Sequence, residues 1–303
     1  MRIAIQLLIF LTVLTVLAVT SCEKQTQSIP FDGNRAFGYL EDQVDFGPRN
    51  PGSNGAKEVL SYYLQFFRER TDSVSFQQFS FTDTILDTTY TITNVIAKFN
   101  PEKMPRVLFC AHWDTRPRAD METDSNLAAK PILGANDGAS GCAVLMEVTN
   151  SLSEIDSKYG VDIVLFDAED YGEDGHLDYY CIGSKYFASN LGSRNPYAFG
   201  VLVDLVGDSD LRIYREAYSH AYARRITDMV WQTAKEIGAS SFVDSLKHRV
   251  YDDHLPLIDR GIATVDIIDF DYDHWHTQGD TPDKCSPASL EEVGKVLVAL
   301  LAH

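Results

Sequence analysis

Val107-Leu108-Phe109-Cys110-Ala111-His112-Trp113-Asp114 is an apolar run that ends in an imidazole and a carboxylate. Its first residues show no alternation of apolar and polar side chains. A short strand written this way is buried on both faces, and such strands belong to sheets covered by helices on either side. Three other runs have the same form. Residues 161–166 lead into Asp167-Ala168-Glu169-Asp170, residues 200–205 carry Asp204 near their end, and residues 263–268 precede Asp273-His274-Trp275-His276-Thr277. Residues 138–152, 219–237 and 286–301 read as helices between and after them. The alternation predicts an α/β fold, a central mixed β-sheet flanked by helices on both faces, and ligands in such sheets collect past the carboxyl ends of the strands.

Upstream, residues 34–44 read as a helix. The turn-rich Gly47-Pro48-Arg49-Asn50-Pro51-Gly52-Ser53 follows, then an amphipathic helix over 55–70 with Val59, Leu60, Tyr63, Leu64 and Phe67 at helical spacing. Residues 74–81 and 88–99 alternate and are rich in β-branched types, as in a hairpin or meander. There is no internal repeat and no interior linker, so residues 31–303 are read as one catalytic domain.

The chain has 303 residues, with 26 Lys and Arg against 44 Asp and Glu, a formal charge of −18. That balance excludes a nucleic-acid binder working through a broad basic face. With 45% hydrophobic and 23% charged residues, it also excludes a disordered or collagen-like chain. A domain of this size buries enough surface to need no disulfide staple.

Residues 3–21 are uncharged, Arg2 supplies a positive start, and Val19-Thr20-Ser21-Cys22 is followed by polar Glu23-Lys24-Gln25. Residues 1–21 are read as a lipoprotein signal peptide, Cys22 as the lipidated residue, and residues 22–30 as a tether; an uncleaved anchor is the alternative reading. Either reading puts the domain in the cell envelope, outside the cytoplasm, touching membrane only through its anchor. Four cysteines remain, Cys110, Cys142, Cys181 and Cys285, whose pairing the sequence does not choose and whose spacing shows no zinc-ribbon pattern.

Strand ends that deliver His112, Asp114, Glu169, Asp170, Asp204 and His276 to one edge, with Asp137 in the glycine-bounded Gly134-Ala135-Asn136-Asp137-Gly138 turn, outline a metal site. Mixed imidazole and carboxylate ligands favour zinc over calcium or magnesium.

Phe46-Gly47-Pro48-Arg49-Asn50-Pro51-Gly52-Ser53, Ala111-His112-Trp113-Asp114, Gly134-Ala135-Asn136-Asp137, Phe166-Asp167-Ala168-Glu169-Asp170, Asp252-Asp253-His254-Leu255-Pro256 and Trp275-His276-Thr277 together resemble the glutaminyl cyclase family of the zinc aminopeptidase-like superfamily. The resemblance implies one zinc held by Asp137, Asp170 and His276, with Glu169 as general acid/base. It implies a hydrogen-bond network through Asp204 and Asp252, and Trp275 as a wall of the substrate pocket. The implied reaction is zinc-dependent cyclisation of N-terminal glutaminyl residues of peptides or proteins to pyroglutamate, with release of ammonia. The chain departs from the family's animal members in three ways. Asp170 replaces a glutamate, no tryptophan follows the acidic pair, and Ala111 stands where some relatives place a cysteine that pairs with a position matching Cys142.

The alternative is a zinc aminopeptidase that hydrolyses N-terminal residues, in which His112 and Asp204 complete a second metal site bridged by Asp137. Arg116 and Arg118 are read as surface arginines, and His254 as a brace for the Asp252-Asp253 turn.

Overall fold

The computed structural model describes residues 29–302 apart from 72, 174, 193 and 194, so residues 1–21 and Cys22 lie outside the described residues. The chain opens with helices α1 (Gly33–Val44) and α2 (Asn54–Arg68). Each starts where a side-chain oxygen takes a backbone N–H that the helix cannot satisfy: Asp32 accepts from Arg35 and Ser53 from Ala56, both at 3.0 Å. Strands β1 (Ser73–Asp83) and β2 (Thr88–Phe99) form the expected antiparallel hairpin. Then come β3 (Arg106–His112), the short α3 (Ser125–Ala128), α4 (Gly141–Ser151), β4 (Gly160–Phe166), α5 (Ile182–Ser189) and β5 (Tyr197–Asp204). The chain continues through β6 (Ile213–Arg215), α6 (Ala217–Tyr222), α7 (Arg224–Ile237), β7 (Phe242–Leu246), α8 (His254–Asp259), β8 (Thr264–Ile268) and α9 (Pro287–Leu301).

Six strands form one mixed sheet in the order β1-β2-β4-β3-β5-β8, in which β4, β3, β5 and β8 are mutually parallel. Every residue of β3, β4 and β8 is buried. Alternate side chains feed two separate cores, which is why the runs look uniformly apolar. Val107, Phe109 and Ala111 join the core under α1, α4, α7 and α9. Leu108 and Cys110 pack from the other face with Phe187 of α5 and Leu257 of α8. Each large side chain buried this way contributes about 1.5–3 kcal/mol. Cys110, Cys142, Cys181 and Cys285 are buried and unpaired. Among the described residues no helix is long and apolar enough to cross a membrane.

Two helix expectations need correction. The helix read over 138–152 starts at Gly141, because residues 135–140 form a kinked turn with Asp137 at φ −104°, ψ 85°. The helix read over 219–237 is two helices broken at Ala223, where the Thr227 hydroxyl donates to the Ser219 carbonyl at 3.0 Å. α5, α8 and the small β6-β7 sheet are elements the periodicity did not mark.

Candidate active site

The carboxyl ends of β3, β4 and β5, with the turn before α4 and the loop after β8, converge on one edge of the sheet. Ala168 follows β4, Leu205 follows β5 and His276 lies beyond β8, and all three adopt left-handed backbone at φ 56°, 50° and 54°. This conformation costs a non-glycine residue roughly 1–2 kcal/mol, so the edge holds its chain turns against local preference. Gly134 stands at φ 67°, where a Cβ would lie 2.3 Å from the Asp137 carbonyl oxygen; a Cβ at Gly138 would lie 2.5 Å from the His112 ring. Only glycine lets this turn bring Asp137 against His112.

Asp114, the carboxylate of the His-Trp-Asp run, points back into the fold. Its two oxygens accept the backbone N–H of Glu169 at 3.0 Å and of Asp170 at 3.3 Å. Asp167 also turns away, accepting the Thr93 N–H at 2.7 Å. The acidic run after β4 is thereby divided: Asp167 secures the sheet, while Glu169 and Asp170 face the cavity.

The expected ligands come together in two clusters that share Asp137. In the first, His276 Nε2 lies 3.7 Å from Asp137 Oδ2 and 3.3 Å from Asp170 Oδ2. In the second, His112 Nε2 lies 3.2 Å from Asp137 Oδ1 and 3.0 Å from Asp204 Oδ1. The clusters differ in how their polar atoms are satisfied. His112 and Asp204 are hydrogen-bonded to each other, whereas Asp137 Oδ2 and Asp170 Oδ2 are buried with no hydrogen-bond donor. Two orphaned carboxylate oxygens facing one imidazole nitrogen are a donor set that fits zinc, with room for a further ligand.

Glu169 sits beside this set, with Asp252 and Cys181. Burial pushes its carboxyl well above the usual range, and the charges of Asp252 and Asp170 push the same way. Burial also raises Asp252, with Asp204 adding to the effect. Burial opposes the charge on Asp170, yet the cations of His276 and Arg116 hold its carboxyl below the ordinary value.

A cavity of about 310 Å³ opens over these groups, walled on its apolar side by Val250, Ile268, Phe270 and Trp275. Trp275 stacks on His276, with ring centroids 3.7 Å apart and planes at 26°, and Phe270 meets Trp275 edge-on at 5.0 Å. Trp275 thus lines this cavity beside His276.

Several contributors escaped the sequence reading. Arg116 is buried, not a surface arginine: Nη1 donates to Asp170 Oδ1 at 2.6 Å and Nε donates to Asp120 Oδ1 at 2.8 Å. Asp120 in turn lies 3.3 Å from His276 Nδ1. A carboxylate there fixes the ring so that Nε2 faces the cluster. The spacing of Arg116 and Asp120 by four residues was the one available signal. Asp280, which no motif singled out, accepts the N–H of Asn136 at 2.8 Å and of Asp137 at 3.1 Å. Arg49 is buried and donates to the carbonyls of Trp113, Leu133 and Gly134, which ties the Gly-Pro-Arg turn to the loop carrying Asp137. His254 does not brace Asp252 and Asp253. It lies between Glu216, at 3.3 Å, and Asp266, at 3.7 Å.

Similarities to known proteins agree with this geometry. A glutaminyl-peptide cyclotransferase from Gloydius blomhoffii is 22% identical over 293 residues, covering 82% of this chain and 75% of the relative. The crystal structure of Porphyromonas gingivalis glutaminyl cyclase is 33% identical, covers 89% of this chain and 98% of that one, and superposes with a TM-score of 0.85. A Zn-dependent exopeptidase from Parabacteroides distasonis is 31% identical, covers 91% of this chain and 100% of that one, and gives 0.86. Residues 94–301, which carry both clusters, match the model of Peptidase family M28, and the chain belongs to that family.

Proposed function

We propose that this protein is a glutaminyl-peptide cyclotransferase, which closes the N-terminal glutaminyl residue of a peptide into pyroglutamate and releases ammonia. The observation that carries the reading is Glu169, raised in proton affinity, beside the orphaned oxygens of Asp137 and Asp170 in an aromatic-walled cavity. The relatives named as cyclases supply the reaction class.

Asp137, Asp170 and His276 would hold zinc, which supplies Lewis-acid polarisation of the glutamine side-chain amide when bound. Glu169 takes a proton from the substrate's α-amine as that nitrogen bonds to the side-chain amide carbon. It returns the proton to the departing nitrogen as the carbon–nitrogen bond of the amide breaks, so ammonia leaves and the five-membered lactam stays. A carboxylate with raised proton affinity suits both halves of this shuttle. Asp252 and Asp204 keep Glu169 in an acidic surrounding, and Phe270 and Trp275 hold the substrate folded and exclude water.

The second cluster favours the rival, a two-metal aminopeptidase, because His112, Asp137 and Asp204 offer three ligand atoms close together. The mutual hydrogen bond of His112 and Asp204 weighs against it. Incubation with a Gln-initiated peptide separates the two. Loss of one ammonia without chain shortening is expected, and release of a free amino acid would overturn the cyclase reading. Elemental analysis should find about one zinc per chain.

We further propose that residues 1–21 direct export and that Cys22 is lipidated, on the strength of the uncharged run and the small residues before the cysteine. Loss of labelled fatty-acid incorporation in C22A is the expected result, and unchanged incorporation would refute it.

A further inference from the structure

A second concavity adjoins the catalytic cavity. This groove of about 670 Å³ is lined by Lys185, Tyr218, Tyr222, Tyr251 and Arg260, with Asp259 as its one carboxylate, and Tyr251 is a wall of both spaces. Tyr218 and Tyr222 are nearly parallel, with centroids 6.3 Å apart and planes at 13°. Arg249 lines the catalytic cavity and places its guanidinium 5.2 Å from the centre of the Tyr218 ring. The segment Arg249-Val250-Tyr251 therefore forms the passage from the cavity into the groove.

The cations around this passage differ in what they are committed to. Arg116 is paired with Asp170 and Asp120. Lys185 donates to the carbonyls of Leu177 and Tyr180, and Arg260 to that of Leu191. Arg249 is exposed, rests on an aromatic face and, among the described residues, makes no ion pair. It stands at the rim of a cavity lined by six carboxylates, in a chain of net charge −18. An acidic surrounding of this kind disfavours a peptide carboxylate, and a cation free of ion pairs at the rim offsets it locally.

We propose that Arg249 and the tyrosine groove form the subsite for the residue that follows the reacting N-terminal residue, and that this subsite selects a carboxylate there. The proposal rests on the cyclase reading. With the N-terminal residue in the cavity, the next one lies within about 3.6 Å of chain advance, and Tyr251, which lines both spaces, marks an exit toward the groove. The carboxylate comes either from an acidic side chain or from the C-terminus of a dipeptide.

The test measures kcat/KM of the zinc-loaded full chain on Gln-Glu-amide, Gln-Gln-amide, Gln-Lys-amide and the free acid Gln-Gln. The wild type should prefer Gln-Glu-amide or the free acid over Gln-Gln-amide by about threefold to tenfold at low salt. The arm that shows the gain identifies the source of the carboxylate. R249Q should abolish the preference and R249E should shift it toward Gln-Lys-amide. These are ratios within one preparation, so they do not depend on the fraction of folded enzyme. Equal values across the set, or a preference that survives R249Q, would overturn the subsite alone. A wild type that turns over none of the four would overturn the cyclase reading and the subsite with it.

Discussion

Both ends of the parallel sheet bury carboxylates, and they treat them in opposite ways. At the amino end, Asp162 of β4 is sealed: Arg106 Nε donates to Oδ1 at 2.9 Å, and the Tyr197 hydroxyl donates to Oδ2 at 2.7 Å. At the carboxyl end, Asp137 and Asp170 each keep an oxygen with no donor. A buried charge whose lone pairs are all taken supports the fold, whereas one left open raises the free energy of the apo protein and holds a ligand. The difference is one of partners, since all three aspartates are almost fully buried.

The sharpest way to break this contrast is at Glu169. E169Q keeps the shape of the side chain but removes the proposed base, so kcat should fall by about 10²–10⁴-fold with the melting temperature unchanged or raised. Full ammonia release by this variant would remove Glu169 from the chemistry. D162A and D137A form the direct pair. D162A leaves Arg106 buried and unpaired and should cost about 3–5 kcal/mol in urea unfolding. D137A should cost far less in metal-free protein but lose zinc by elemental analysis. Equal destabilisation would erase the distinction between the two ends.

Glu216 sharpens the comparison from behind the catalytic edge. It is 1% exposed, and its oxygens accept the N–H groups of Tyr218, Ser219 and Val250. Burial alone would raise its carboxyl, but the His254 imidazole 3.3 Å away and the backbone N–H donors of Ser219 and Tyr218 hold it down at about 2. An unfolded-chain glutamate titrates near ~4.3, so the stability Glu216 contributes is full above that pH and is lost as the pH falls toward 2. The wild type should exceed E216Q by on the order of 2–3 kcal/mol at pH 6, and the gap should close below about pH 4 in parallel denaturation curves. A gap independent of pH would contradict the assignment. The smallest effect belongs to Arg116, which holds Asp170 directly and His276 through Asp120. R116Q should weaken zinc in chelator competition by about tenfold to hundredfold, while unchanged affinity would reduce Arg116 to a structural ion pair.

Particular residues mark how far the sequence could be read. The apolar runs at β3 and β4 were legible because strands buried on both faces need apolar side chains on both faces. Asp137, Glu169, Asp170 and Asp204 could be singled out because each sits at or just after such a run or in a glycine-bounded turn, and His276 because it lies with Asp273, His274 and Trp275 in the loop beyond the last run. Asp120 and Asp280 were not, because a carboxylate in a polar loop looks the same whether it meets water or a histidine 156 residues away along the chain (Asp120 to His276). Arg116 misled for the same reason: its buried pairing with Asp170 spans 54 positions.

The sequence by itself determined the α/β class, the edge at which chemistry gathers and the residue types gathered there, since these depend on local pattern and on the direction of parallel strands. Only the tertiary structure decided which of those carboxylates are satisfied and which remain open. Satisfaction depends on donors brought from distant segments to within about 3 Å, and no local pattern carries that distance.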